Sequence, residues 1–284
     1  MQTITRRHFV KTSGALSLAS MNMFAGCSTQ KTQTKSIPLG VQLYSVRTEC
    51  QKDFPKTLEA IAQIGYDGVE FAGYYDYEAK EIKQLLDDNA LKCCGSHTQL
   101  DELSEDNFEA TMEFNQTIGN SYVIVPWLPE EKRQSVDDWK KLAEFFTEFA
   151  EKVKPYGMRI GYHNHGFEFQ SMDGQIPWDI FAVSTQNDVI LQLDTGNCAH
   201  GGGDAYATLK RYPGRAVTIH LKEYSENNPD AILGEGDLPW QDIFTFCETE
   251  GGTEWYIIEE EKEIYPPIET IQKCYENFKA LKSA

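Results

Sequence analysis

Basic residues are few: the 284-residue chain has 26 Lys and Arg against 44 Asp and Glu, a formal net charge of −18. A surface of that sign repels nucleic acid and anionic substrates at long range, and no basic stripe is present to reverse it. The seven cysteines contain no CxxC pair. Cys50, Cys93, Cys94, Cys198, Cys247 and Cys274 are read as buried thiols, with adjacent Cys93 and Cys94 on opposite faces of one strand; no disulfide is deducible from their spacing. Long apolar runs are lacking too, the stretch near the N-terminus being too short to span a membrane as a mature helix. Glycine is missing where a nucleotide fold needs it. The first loop, SVRTECQKDFP (45–55), has none, which speaks against a doubly wound open sheet with a phosphate-binding turn. No long linker and no second domain follow residue 36.

What is present is a rhythm of short apolar runs, each ending in polar residues and followed by an amphipathic segment. The runs are IPLGVQLYS (37–45), YDGVEF (66–71), LKCCGSH (91–97), SYVIVPW (121–127), MRIGYHNH (158–165), DVILQLD (188–194), AVTIHLK (216–222) and EWYIIEEE (254–261). Helices are expected over 54–65, 137–157 and 266–282, with Gly65, Gly119, Gly157 and Gly251 at helix stops. Eight strand–helix units in about 245 residues predict an α/β fold, a single (β/α)8 TIM barrel over 37–284.

In such a barrel the chemistry gathers at the C-terminal ends of the strands. Six of the eight runs end in a carboxylate or histidine: Glu70, His97, His163 with His165, Asp194, His220 and Glu259. Oxygen and imidazole donors from separate strands suit one divalent ion, Mn²⁺, Co²⁺, Mg²⁺ or Zn²⁺. Asp194, His220 and Glu259 form the best trio. The plain alternatives are a cap of the turn DTGN for Asp194, a core histidine for His220 and one of three surface glutamates for Glu259. Period-two alternation turns Glu259 and Glu261 inward and Glu260 outward. Gln42, Tyr44, Glu70, His97, Trp127, His165, Asn197 and Glu261 are candidates for the substrate-facing wall, and His200 follows Asp194 closely. Arg47 serves substrate or pairs with an acid. Gly234 and Gly236 shape the loop after the seventh run, and Asp237 is expected to cap the next helix.

The N-terminus is set apart from the barrel. Arg6 and Arg7 with Phe9 and Lys11 form a twin-arginine pattern, and Phe24-Ala25-Gly26-Cys27 resembles a bacterial lipobox. Residues 1–27 are therefore expected to be an export signal ending at a lipidated Cys27, and 28–36 a flexible tether. The expected location is periplasmic or outer-membrane-associated, as a lipoprotein of a Gram-negative bacterium. A twin-arginine route carries folded proteins, so a metal can be loaded before export. Without Arg6, Arg7 and Lys11 the remainder holds 23 basic and 44 acidic residues, a net −21.

Taken together, YHNHGFEF, LDTGN, IHLKE and WYIIEEE resemble the xylose-isomerase-like barrels known as sugar phosphate isomerases/epimerases, over roughly 37–283. The resemblance implies one metal held by Glu, Asp, His and Glu from four strand ends. Asp194, His220 and Glu259 match the last three. The first is open between Glu168, which keeps the Glu-Asp-His-Glu set, and His163, which occupies the usual strand-end position. It also implies proton abstraction beside a carbonyl through an enediolate, with Glu168, Glu259, His163, His165 or Lys222 as the base and Lys222 otherwise polarising a substrate oxygen. The substrate is a small carbohydrate, and export favours an unphosphorylated sugar or keto-sugar. Isomerisation or epimerisation is the main outcome; the alternative is a β-eliminating lyase or dehydratase acting on 3-keto-glycosides or inososes. A non-catalytic, tethered sugar-binding lipoprotein is the reading from another class. The endonucleases of the same superfamily are disfavoured by the acidic charge. Which sugar, which metal and which oligomer are not legible in the chain.

Overall fold

A computed structural model describes residues 36–283. The expected export signal, Cys27 and the tether before Ser36 lie outside the described residues. Each of the eight apolar runs holds one strand: β1 Leu39–Gln42, β2 Gly68–Phe71, β3 Lys92–His97, β4 Tyr122–Val125, β5 Arg159–His163, β6 Ile190–Gln192, β7 Thr218–Leu221 and β8 Trp255–Ile258. All pair in parallel in chain order, and β1 also pairs with β8. The remaining seam, between β6 and β7, is bridged at Asp194 and His220, with His220 N donating to Leu193 O at 2.9 Å. The result is the expected single (β/α)8 barrel, and its seam is where two candidate metal ligands meet.

Strands buried on both faces read as continuous apolar runs, which is why they were visible in the sequence. Their outward residues, such as Val69, Phe71, Tyr162 and Ile258, pack under the helices, and Cys94, Tyr122, Ile124, Ile190, Trp255 and Ile257 fill the barrel interior. That interior leaves no room for more: a Cβ on Gly40 would lie 2.5 Å from Cys94 Sγ, and one on Gly161 2.6 Å from Ile190 Cβ. Cys93 and Cys94 fall in different clusters, on opposite faces of β3, and all six cysteines of the described residues are buried and free.

The helix Phe54–Ile64 starts under the side chain of Asp53, which accepts from Lys56 N at 3.1 Å, and stops at left-handed Gly65, φ 113°. The helix Val136–Val153 is capped by Ser135 and tightens into a 3₁₀ turn at Lys154–Tyr156, where Pro155 cannot continue it, before Gly157. Gly251 sits at a helix stop as expected, closing the end of the helix Trp240–Thr249 by donating to Phe246 O at 2.7 Å, while Gly252, φ 68°, takes the left-handed conformation. One expectation is corrected. Asp237 does not cap that helix, because its Oδ2 accepts from Ser225 Oγ at 2.9 Å and Glu226 N at 3.0 Å within its own loop. No helix of the described residues is long and apolar enough to cross a membrane.

Candidate functional site

Four side chains from four strand ends converge at the top of the barrel. His163 closes β5, Asp194 follows β6, His220 lies in β7 and Glu259 follows β8; one donor atom of each lies within 4.8 Å of the others, and all four residues are buried. Asp194 is divided between two tasks. Its Oδ1 accepts from Asn197 N at 2.7 Å, capping the short helix Thr195–His200, while its buried Oδ2 has no hydrogen-bond partner. A buried carboxylate oxygen without a donor is costly unless a cation satisfies it. Two imidazoles and two carboxylates are the donor set a borderline divalent ion takes, so the residues present fit such an ion.

The electrostatics follow from the packing. His220 lies between two carboxylates, with Nε2 2.5 Å from Glu70 Oε2 and Nδ1 2.6 Å from Glu259 Oε2. Burial works against its charge, but Glu70 and Glu259 outweigh burial and push its pKa up to about 10. Burial pushes His163 well below the ordinary histidine range, and the neighbouring His220 adds to this. Burial alone would raise Glu259, yet Lys222 and His220 hold it well below the usual carboxylate range; Lys222 Nζ is 3.3 Å from Glu259 Oε1 and also pairs with Glu261. Lys222 is itself buried, which lowers its pKa, but the carboxylates of Glu259, Asp194 and Glu261 raise it and keep it charged. Lys222 thus stands as a buried cation shared by Glu259 and Glu261.

A cavity of about 370 Å³ opens above these groups. Tyr44, His97, Trp127, His163, His165, Glu259 and Glu261 line it, as does the loop after β2 at Gly73 and Tyr74. No Lys or Arg is among its lining residues. Trp127 is 43% exposed and meets His165 edge-on at 4.7 Å. Arg47 stacks over Tyr44 at 4.4 Å and donates to Tyr44 O, so it braces a wall residue.

Several placements differ from the sequence reading. Glu168 does not join the cluster: its Oε2 accepts from His165 N at 2.9 Å and its Oε1 from the Tyr162 hydroxyl, so it pins its own loop from below. Gln42 and Glu70 are fully buried beneath the donors and do not reach the cavity. Asn197 serves Asp194 through its backbone and Asn164 O through its side chain, and it is likewise absent from the cavity wall. Glu260 is turned away from the barrel interior as expected and is nonetheless buried, its Oε1 accepting from Glu261 N and Lys262 N.

Residues that escaped the sequence reading are Asn164, Gln192 and Glu102. Asn164 clamps Asp194 through both of its backbone groups. Gln192 shares the inward parity of Asp194, a signal that was available. Glu102, from the loop after β3, is a wall carboxylate with no sequence signal of its own.

Comparison with known proteins agrees with this architecture. A family model described as the xylose isomerase-like TIM barrel matches residues 58–281. The inosose dehydratase of Clostridium perfringens is 21% identical over 258 residues, covering 77% of this chain and 86% of its own. That of Lacticaseibacillus casei is 23% identical, covering 74% and 83%. Among solved structures, a sugar phosphate isomerase/epimerase from Parabacteroides distasonis superposes with a TM-score of 0.72 at 24% identity, over 88% of this chain and 96% of its own. An IolI protein with a bound zinc atom superposes with a TM-score of 0.67 at 17% identity, over 87% and 98%. These structural likenesses establish the fold.

Proposed function

The chain belongs to the xylose isomerase-like TIM barrel family, and on that footing we propose that it is a divalent-metal-dependent enzyme that removes a proton beside a carbonyl in an unphosphorylated sugar or keto-sugar and returns it to give the isomer or epimer. The observation that carries this reading is the convergence of His163, Asp194, His220 and Glu259, with one unpartnered, buried oxygen on Asp194, where His163 and Glu259 line a sugar-sized cavity. On this reading His163 fills the position left open in the sequence, and Glu168 stays with its own loop.

A divalent ion held by His163, Asp194, His220 and Glu259 would supply Lewis acidity toward a substrate carbonyl and so acidify the C–H on the carbon next to it. The rest falls to the chain. Glu259 faces the cavity and is held deprotonated beside Lys222, so its Oε1 is placed to take the proton. His165, from the β5 end, stands on another wall; burial pushes its pKa down to about 4, so at neutral pH its uncharged ring accepts on one nitrogen and donates from the other. Protonation from that side inverts the carbon, and protonation of the neighbouring carbon isomerises the sugar. Trp127 and Tyr44 offer ring faces to the sugar, and the absence of Lys and Arg from the lining favours an unphosphorylated one.

A second reading is favoured by the curated relatives, which are inosose dehydratases. The same proton removal, followed by expulsion of a β-hydroxyl or aglycone, makes the protein a lyase. One assay serves both. Metal-reconstituted protein is incubated in D₂O with unphosphorylated aldoses and ketoses, inososes and 3-keto-glycosides, and followed by NMR. Deuterium on carbon in an intact sugar supports the first reading; a dehydrated product or free aglycone supports the second. No exchange and no product with any of them overturns both. We further propose that the enzyme works outside the cytoplasm, anchored at Cys27, on the strength of RRHF (6–9) and FAGC (24–27). Cys27→Ser should then move the protein out of the membrane fraction, and an unchanged distribution would refute the anchor.

A further inference from the structure

Below the four donors lies a layer that the proposed chemistry does not use. Glu70 is 0% exposed, and among the described residues no Lys or Arg pairs with it. Its partners are Gln42 Nε2 and Gln192 Nε2, each at 2.7 Å, His220 Nε2 at 2.5 Å and His97 Nε2 at 3.2 Å. A carboxylate buried this way is poor design for stability, and apolar side chains of similar size would cost less.

Glu70 sets the donors and acceptors of Gln192 and His163 in this layer. A carboxylate only accepts, so Glu70 Oε1 must face the amide nitrogen of Gln192. The second N–H of that amide reaches Thr218 Oγ1 at 2.9 Å. The amide oxygen is thereby turned toward His163 Nδ1 and His97 Nε2, both at 3.1 Å. His163 must donate from Nδ1, which leaves its lone pair on Nε2. Glu70 Oε2 likewise requires a hydrogen on His220 Nε2, so the hydrogen that His220 Nδ1 gives to Glu259 Oε2 is the one an ion would replace. Gly95 completes the cradle, since a Cβ there would collide with Glu70 Oε1.

We propose that Glu70 and Gln192 are positioning residues for the metal centre: they fix the ring orientation and tautomer of its two histidines, so that a divalent ion meets Nδ1 of His220 and Nε2 of His163. The inference rests on the metal-centre reading above. Carboxylate or carbonyl partners on the far nitrogen of a ligating histidine contribute about 10–100-fold to metal affinity.

The test is Zn²⁺ affinity, by competition with a chromophoric chelator, for the wild-type chain, Glu70→Gln and Gln192→Leu. The visible spectrum of each Co²⁺ complex reports geometry, and circular dichroism of the metal-free proteins reports folding. Neither residue lines the cavity, so its wall is untouched. Glu70→Gln should bind one ion per chain about 10–100-fold more weakly with an altered Co²⁺ spectrum, and Gln192→Leu should change in the same direction. Wild-type affinity and spectrum in Glu70→Gln overturn the inference; if that variant does not fold, Gln192→Leu decides by the same criteria. Failure of both to fold in saturating zinc assigns the layer to the barrel and also overturns it. A wild-type chain that takes up no ion sinks the metal centre itself, an outcome distinct from these.

Discussion

Glu168 offers a sharp test of how this site is divided between chemistry and architecture. Burial raises its carboxyl from the ordinary 4.5 to about 7, despite the hydrogen bonds it accepts from Tyr162 and its own loop. Between those two values the unfolded chain has already released the proton that the folded chain still holds. Stability is therefore full below pH 4.5 and is lost as pH rises toward 7. At ~1.4 kcal/mol for each pH unit between the two values, the loss is roughly 3 kcal/mol. Glu168→Gln has no proton to lose, and its amide can accept from His165 N while donating to the Tyr162 hydroxyl. Urea unfolding of the metal-free protein and the variant, from pH 4.5 to pH 8, reads the difference. The variant should gain on the wild type by about 3 kcal/mol across that window and should still take up one metal ion per chain. Parallel stability curves, or loss of the ion in the variant, would refute the assignment of Glu168 as a buried loop pin.

Three other outcomes follow from the packing. Gly95→Ala should cost about 1–3 kcal/mol in urea unfolding and weaken ion uptake, because the new methyl displaces Glu70; a neutral substitution would contradict the cradle. Arg215 is 5% exposed and donates to Ala182 O at 2.6 Å, Thr185 Oγ1 at 2.7 Å and Val189 O at 2.8 Å, so Arg215→Met should destabilise by about 2–4 kcal/mol by orphaning those acceptors, with ion affinity unchanged. Trp127→Ala, at an exposed wall position, should raise KM by up to about 10-fold with little change in stability; an unchanged KM would remove Trp127 from sugar recognition.

The barrel was legible because a parallel strand, covered on both faces, writes itself as an unbroken apolar run. Its strand-end donors were legible through parity: Asp194, His220 and Glu259 all fall on the inward face. Parity gave direction but not depth. Gln42 and Glu70 do point inward, yet they end one layer too low to meet a substrate. Parity even carries past the strand end: β8 stops at Ile258, yet Glu259 still faces the cavity while Glu260 turns to the turn that follows, accepting from Glu261 N and Lys262 N. Glu168 was misread because only the fold shows that a 3₁₀ turn, Phe167–Phe169, carries it back beneath β5 to Tyr162 instead of toward Asp194. Register had the same limit. The slip between β2 and β3, which pairs Val69 with Cys93 but Glu70 with Gly95, turns His97 inward, and nothing in KCCGSH announces it.

The central claim is a divalent ion held by His163, Asp194, His220 and Glu259. Anomalous diffraction from crystals grown with Co²⁺ or Zn²⁺ tests it most directly. The account predicts one strong peak with all four side chains at about 2.0–2.2 Å. Glu168 should remain on Tyr162, and Glu70 and Gln192 should remain on the far nitrogens of His220 and His163. A peak ligated by Glu168 in place of His163, or an ion bound only elsewhere on the chain, would contradict it.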